Sequence, residues 1–252
     1  GYWAVSPDFW VPDPKRFPHG LAAVTKAAGE KGVRFGLWYA PDSSNDAANW
    51  ERDADWLLHI HRDWGVDYFK IDSMKSLTPL SLARQRAFFD RMLAASGADM
   101  TFDLDVTAQI RPGYFGLPDI GPLFVENRYC KNHNFWPHLT LRNMWHLCEV
   151  IDPVRLRMEV TNVEIWPDRY GDDPLRPGRY PIDALFAAVM VGSPLGWFEN
   201  SGLSGKAKAA LKPLVARWKL ERDRMERAVR VDLRDDGDAA PLRLVHARRG
   251  VV

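Results

Sequence analysis

The segment Tyr68-Phe69-Lys70-Ile71-Asp72 sets a cation and a carboxylate two residues apart. Side chains alternate along an extended strand, so Lys70 and Asp72 face the same side. A fixed ammonium beside a carboxylate favours its ionised form, the state a nucleophile needs. The same pair can also simply close a strand end, and spacing leaves both roles open. Asp105, Glu126, Glu159 and Glu199 likewise fall near the ends of apolar runs, with Trp38 in the equivalent place earlier in the chain. Crowded carboxylates raise one another's pKa, which lets one stay protonated as an acid while another stays charged. Paired carboxylates of this kind are the equipment for breaking a glycosidic bond. A hard-cation cage wants ligands gathered over a short run. Asp103-Leu104-Asp105 comes nearest, but without further ligands it reads as a strand-end hydrogen-bonding pair.

The elements that must carry these residues follow from periodicity. Short apolar strands are expected over 33–40, 66–72, 100–107, 122–127, 155–160 and 194–200, and residues 1–30 read as a loop and one helix. Helices are expected over 20–31, 49–64, 80–95, 138–150, 182–191 and 207–229, the last kinked or restarted at Pro213. Asp72 and Asp105 lie 33 residues apart, as do Glu126 and Glu159. A (β/α)₈ TIM barrel uses about 31 residues per unit and gathers its site at the strand C-terminal ends. A doubly wound sheet would bring a Gly-rich phosphate loop after its first strand, and the sequence has none. The expectation is therefore an α/β (β/α)₈ barrel over residues 1–230, with the start of a C-terminal β-domain over 231–252 opening at Asp235-Asp236-Gly237-Asp238. Six strands are counted rather than eight, so the barrel is expected to lack its first two. Open barrel edges expose backbone groups, so such a piece should aggregate or take strands from elsewhere.

Composition excludes other classes. The 252 residues hold 34 Lys plus Arg against 33 Asp plus Glu, a net charge of +1 that gives no grip on nucleic acid. No apolar run reaches the roughly 18 residues that a membrane span requires. Cys130 and Cys148 are too few for a disulfide framework and lack zinc spacing. The chain starts at Gly1 without a methionine or a signal-like segment, which reads as a chain processed or cut from a longer protein and leaves the compartment open. His59 and His61, two apart on a helix, cannot chelate together. Eleven tryptophans suit sugar-ring stacking and large cores alike.

Four stretches, in order, carry a resemblance. Lys15-Arg16-Phe17-Pro18-His19-Gly20-Leu21, Gly32-Val33-Arg34-Phe35-Gly36-Leu37-Trp38 with Pro41, Phe69-Lys70-Ile71-Asp72, and Phe124-Val125-Glu126-Asn127-Arg128-Tyr129 resemble segments of the α-galactosidase clan, in particular glycoside hydrolase family 36. The similarity covers roughly residues 1–200. It implies a (β/α)₈ barrel, retaining hydrolysis of a carbohydrate substrate (an α-galactoside) and no cofactor. It implies Asp72 as the nucleophile, Lys70 as a holder of sugar hydroxyls, Trp38 as a wall of the sugar site and Glu126 as the acid/base. Asp105, Arg128, Glu159 and Asn162 are further substrate-binding candidates. Arg128 and Glu159 could instead pair with neighbouring charges.

The sequence departs from the family pattern in three places. Its acid/base would be a glutamate rather than the aspartate of a Trp-x-Ser-Asp segment. Asp103 and Asp105 replace a glycine-rich fifth-strand loop. The second-strand Asp-Asp-Gly-Trp is absent, Gly1-Tyr2-Trp3 standing where it would end, which makes Trp3 a binding candidate. Other clan activities, such as α-N-acetylgalactosaminidase or β-L-arabinopyranosidase, and a sugar-binding pseudoenzyme stay open at this stage.

Overall fold

A computed structural model describes residues 2–106, 117, 119–125, 137–148, 150–162, 164, 171–174, 176–196 and 203–225. The chain divides into two compact units, Gly1–Phe124 and Val125–Val252.

The first unit contains β1 (Pro18–Leu21), β2 (Gly36–Tyr39), β3 (Tyr68–Ile71), β4 (Thr101–Asp105) and β5 (Leu123–Val125, reaching one residue past the boundary). Strands β2 to β5 pair in chain order, all parallel. Helices α1 (Ala22–Gly29), α2 (Trp50–Trp64) and α3 (Pro79–Ala95) run between them.

The register sorts the side chains into two faces. Leu37 pairs with Phe69 and Phe69 with Phe102, while Tyr39 pairs with Ile71 and Ile71 with Leu104. Tyr39, Phe69, Ile71, Phe102 and Leu104 are all at most 1% exposed, so this row forms the core. Each such side chain contributes on the order of 1.5–3 kcal/mol by leaving water. The opposite row carries Trp38, Lys70, Asp103 and Asp105. Period-two alternation thus hands one face to packing and the other to polar chemistry.

Helices α2 and α3 pack against each other. Helix α2 turns Ala54, Leu57 and Ile60 inward and stops at Gly65, whose N–H closes the last helical bond on the His61 carbonyl and whose left-handed φ of 68° turns the chain out of the helix. Helix α3 starts with Pro79 behind a reciprocal Thr78–Ser81 capping box and buries Phe88, Phe89 and Met92.

The second unit contains β6 (Leu156–Glu159) and β7 (Ser193–Leu195), again parallel, with Glu159 opposite Leu195. Its helices are α4 (Pro137–Leu147), α5 (Ile182–Ala187) and α6 (Gly205–Met225), the last two in contact. Helix α6 runs through Pro213 as one helix. The Trp218 indole ties it to the Gly192 carbonyl at 3.0 Å.

Each expected strand overlaps a described one, the last by only two residues (194–200 expected, Ser193–Leu195 described, with 197–200 outside the described residues), and the parallel α/β class holds. One reading is corrected: residues 1–30 contain a strand, β1, where only a loop and a helix were expected. Pro18 and Gly20 hide it, since both are poor strand formers. Gly20 sits at φ +66°, and a Cβ there would fall 2.1 Å from the Trp64 indole nitrogen. Residues 226–252, including the expected β-domain, lie outside the described residues, as do Glu199 and Cys130.

Candidate active site

Asp72 is the first residue after β3, and its N–H donates to the Tyr39 carbonyl (2.9 Å), so the ladder fixes where its side chain begins. The Trp38 indole N–H donates to Asp72 Oδ2 at 2.9 Å. Ser73 donates to Oδ1 through its backbone N–H (2.5 Å) and, more weakly, through its hydroxyl (3.2 Å). The Lys70 ammonium lies 3.8 Å from Asp72 Oδ2 but 2.9 Å from Asp105 Oδ2. It also sits 3.9 Å above the centre of the Phe124 ring, a cation–π contact. Donors thus meet both oxygens of Asp72, an arrangement suited to a carboxylate.

Exposure separates the roles. The side chains of Lys70 and Asp72 are each about a fifth exposed, at 20% and 18%, whereas that of Asp105 is 4% exposed. Trp38 is 40% exposed and presents an aromatic surface beside the carboxylate. Its own support is aromatic: Tyr2 lies edge-on at 5.6 Å and Trp10 tilted at 5.6 Å.

Four sequence-derived residues, Trp38, Lys70, Asp72 and Asp105, are therefore brought together by β2, β3 and β4. Trp3 is engaged elsewhere: its indole donates to Asp53 at 2.6 Å, and Arg52 stacks over its ring at 4.8 Å. Asp103 accepts from the Tyr68 hydroxyl at 2.8 Å. Glu126 and Arg128 lie outside the described residues. In the second unit, Glu159 ends β6 and is buried, and the Asn162 side chain accepts from the Glu164 N–H at 3.0 Å. No group of three or more His, Cys, Asp or Glu side chains is arranged to hold a metal ion among the described residues.

Sequence reading missed a buried network behind the site. Asp53 of α2, fully buried, accepts from the Tyr39 hydroxyl (2.7 Å) and the Asp42 N–H (2.7 Å) as well as from Trp3. Burial pushes the Asp53 carboxyl up, only partly offset by these donors. Burial, then the neighbouring Asp53 charge, pushes the Tyr39 phenol far up, so it stays a donor. Burial also acts to raise Asp42, but bonds from Ser44 and Asn49 outweigh it and hold that carboxyl well below the usual range. One signal was present: Asp53 shares the apolar helical stripe of Leu57 and Ile60, where a charged residue needs partners.

An apolar cavity of about 480 Å³ also opens in this unit, lined by Trp10, Leu37, Trp56, Leu57 and Phe69 among others. Leu37 and Phe69 place it on the packing row, and no carboxylate, amide or hydroxyl-bearing side chain but Tyr39 lines it. A sugar site needs several polar groups. The Asp72 face, rather than this cavity, is the candidate site.

No family model matches the chain. Over 58 residues (20% of this chain, 8% of the relative) it is 34% identical to Probable α-galactosidase G of Emericella nidulans. Over 52 residues (20% and 7%) it is 33% identical to α-galactosidase AgaA of Geobacillus stearothermophilus. Among solved structures, an α-galactosidase from Lactobacillus brevis superposes with a TM-score of 0.61 at 14% identity, covering 87% of this chain and 34% of that one. The family 36 α-galactosidase AgaA, in complex with raffinose, gives 0.61 at 14% identity, covering 86% and 35%. The galactosidase domain of the α-galactosidase-sucrose kinase AgaSK gives 0.64 at 13%, covering 87% and 34%. The chain has the fold of the family 36 α-galactosidases. It spans under a tenth of the curated relatives it matches and about a third of the structural neighbours.

Proposed function

We propose that the protein hydrolyses terminal α-galactosides with retention of anomeric configuration. The observation that carries this reading is the Asp72 carboxylate at the end of β3, held between the Trp38 indole and the Lys70 ammonium on the polar face of a parallel sheet. The local likeness to α-galactosidases and the shared fold support the same reading.

Asp72 attacks the anomeric carbon, and the bond from that carbon to the leaving oxygen breaks. Glu126, the next residue after β5, gives its proton to that oxygen. In the second half Glu126 takes a proton from water. The hydroxide displaces Asp72 and restores the carboxylate. Trp38 supplies an apolar wall for one sugar face, and Lys70 donates to sugar hydroxyls. Asp105, buried against Lys70, aims the ammonium.

The test is hydrolysis of an aryl α-galactoside beside an aryl α-glucoside, with product anomers followed by NMR. Galactoside turnover releasing the α-anomer first, and lost by on the order of 10³-fold or more in Asp72→Asn, is the expected result. Sugar binding without turnover would favour a binding protein instead. β-Anomer release would contradict retention.

A further inference from the structure

We infer that Ser43 is a positioning residue for Asp72, acting through a strained Ser73; the role given to Asp72 rests on the proposed function. Ser73 adopts φ +59°, a left-handed conformation that a non-glycine residue keeps only where its surroundings enforce it. This conformation sets where the Ser73 side chain leaves the backbone, and its hydroxyl meets Asp72 Oδ1 at 3.2 Å beside the Ser73 N–H, leaving Oδ2 to Trp38 and Lys70.

Ser43 holds that turn from both ends. Its hydroxyl donates to the Ser73 carbonyl at 3.0 Å and accepts from the Lys75 N–H at 3.0 Å. No described bond joins Ser43 to Asp72 itself; its influence passes through the turn.

The loop carrying Ser43 is fixed at both of its own ends. On one side, Asp42 is anchored by its N–H on Asp53 and by its carboxyl on Ser44 and Asn49. On the other side, Asn45, Asp46 and Ala47 form a left-handed turn, with φ of 50°, 58° and 57°. Arg84 donates to the Asn45 and Asp46 carbonyls at 3.0 and 3.2 Å, and the Thr78 hydroxyl donates to the Asp46 carboxylate at 2.7 Å. A loop this over-determined can impose a left-handed φ on its neighbour, and that φ places the Ser73 hydroxyl on the reacting carboxylate.

The experiment compares wild type, Ser43→Ala, Ser43→Thr, Ser73→Gly and the Ser43→Ala/Ser73→Gly double variant. Turnover of an aryl α-galactoside and hydrogen exchange of the residue-73 amide by NMR are both read. Ser43→Ala should lower kcat about 10–100-fold with KM within about threefold, since small misplacements of reacting groups act on that scale. Its residue-73 amide should exchange at least about tenfold faster. Ser43→Thr, which keeps the hydroxyl, should restore both. Glycine adopts the left-handed turn without strain, so Ser73→Gly should shrink the cost of Ser43→Ala severalfold.

Wild-type kcat and amide protection in Ser43→Ala would overturn the inference, as would equal losses in Ser43→Ala and Ser43→Thr. If wild type turns over no galactoside, the amide readout decides the positioning role alone and the proposed function is what fails.

Discussion

Lys70 is shared unequally between two carboxylates, and the inequality separates structure from chemistry. Its short contact is with buried Asp105 and its long one with the more exposed Asp72. Lys70→Met leaves Asp105 buried without its cation, which should cost about 3–5 kcal/mol in urea unfolding. The Lys70→Met/Asp105→Leu double variant removes both charges and should recover much of that stability. Turnover should stay on the order of 10²-fold low in both, because neither carries an ammonium beside the substrate. Turnover recovering along with stability would reduce Lys70 to a strand-closing ion pair. At this scale the Lys70–Asp72 pair was legible because strand alternation alone puts both on one face. Ser43 and Ser73 were not legible. Nothing in a Ser-Ser-Asn or Asp-Ser-Met segment announces a left-handed φ, which is imposed by bonds from residues some 30 positions away.

The segment leading into β5 passes close to β4 at Gly121, two residues ahead of the strand that carries Phe124 onto Lys70. A Cβ on Gly121 would lie 1.9 Å from the Phe102 carbonyl oxygen, a backbone atom that cannot swing aside. Gly121→Ala should therefore cost about 1–3 kcal/mol or more in denaturant melts. It should also weaken turnover by displacing Phe124 from Lys70. Unchanged stability would mean that the ladder has slack there. Strands and helices were legible because apolar period and stop signals such as Gly65 are local. The strand Pro18–Leu21 was not, because Pro18 and Gly20 are poor strand formers, and the Trp64 indole that requires glycine at position 20 is distant in sequence.

For the molecule as a whole, the parallel α/β class followed from rhythm: apolar runs whose end residues, Trp38, Asp72, Asp105, Glu126, Glu159 and Glu199, fall 21 to 40 residues apart. The Asp53–Asp42 network was hidden, since burial of a carboxylate depends on partners gathered from three segments. That network carries a pH signature. The folded-state pKa of Asp42 is depressed, so its contribution is present above the unfolded value near 4 and is lost as pH falls toward the folded value. Asp42→Asn should destabilise the protein by on the order of 1–3 kcal/mol at pH 7, and the gap to wild type should narrow as pH falls below about 4. Urea midpoints at pH 7 and pH 3 measure it; a gap that stays constant would place the loss in packing rather than charge.

The most direct test of the central claim is covalent trapping with a slowly turned-over fluorinated α-galactosyl fluoride, followed by peptide mass spectrometry. The expected result is loss of activity with one galactosyl group esterified to Asp72 and no labelling of Asp72→Asn. A label on another carboxylate, or turnover that persists with none, would contradict Asp72 as the nucleophile.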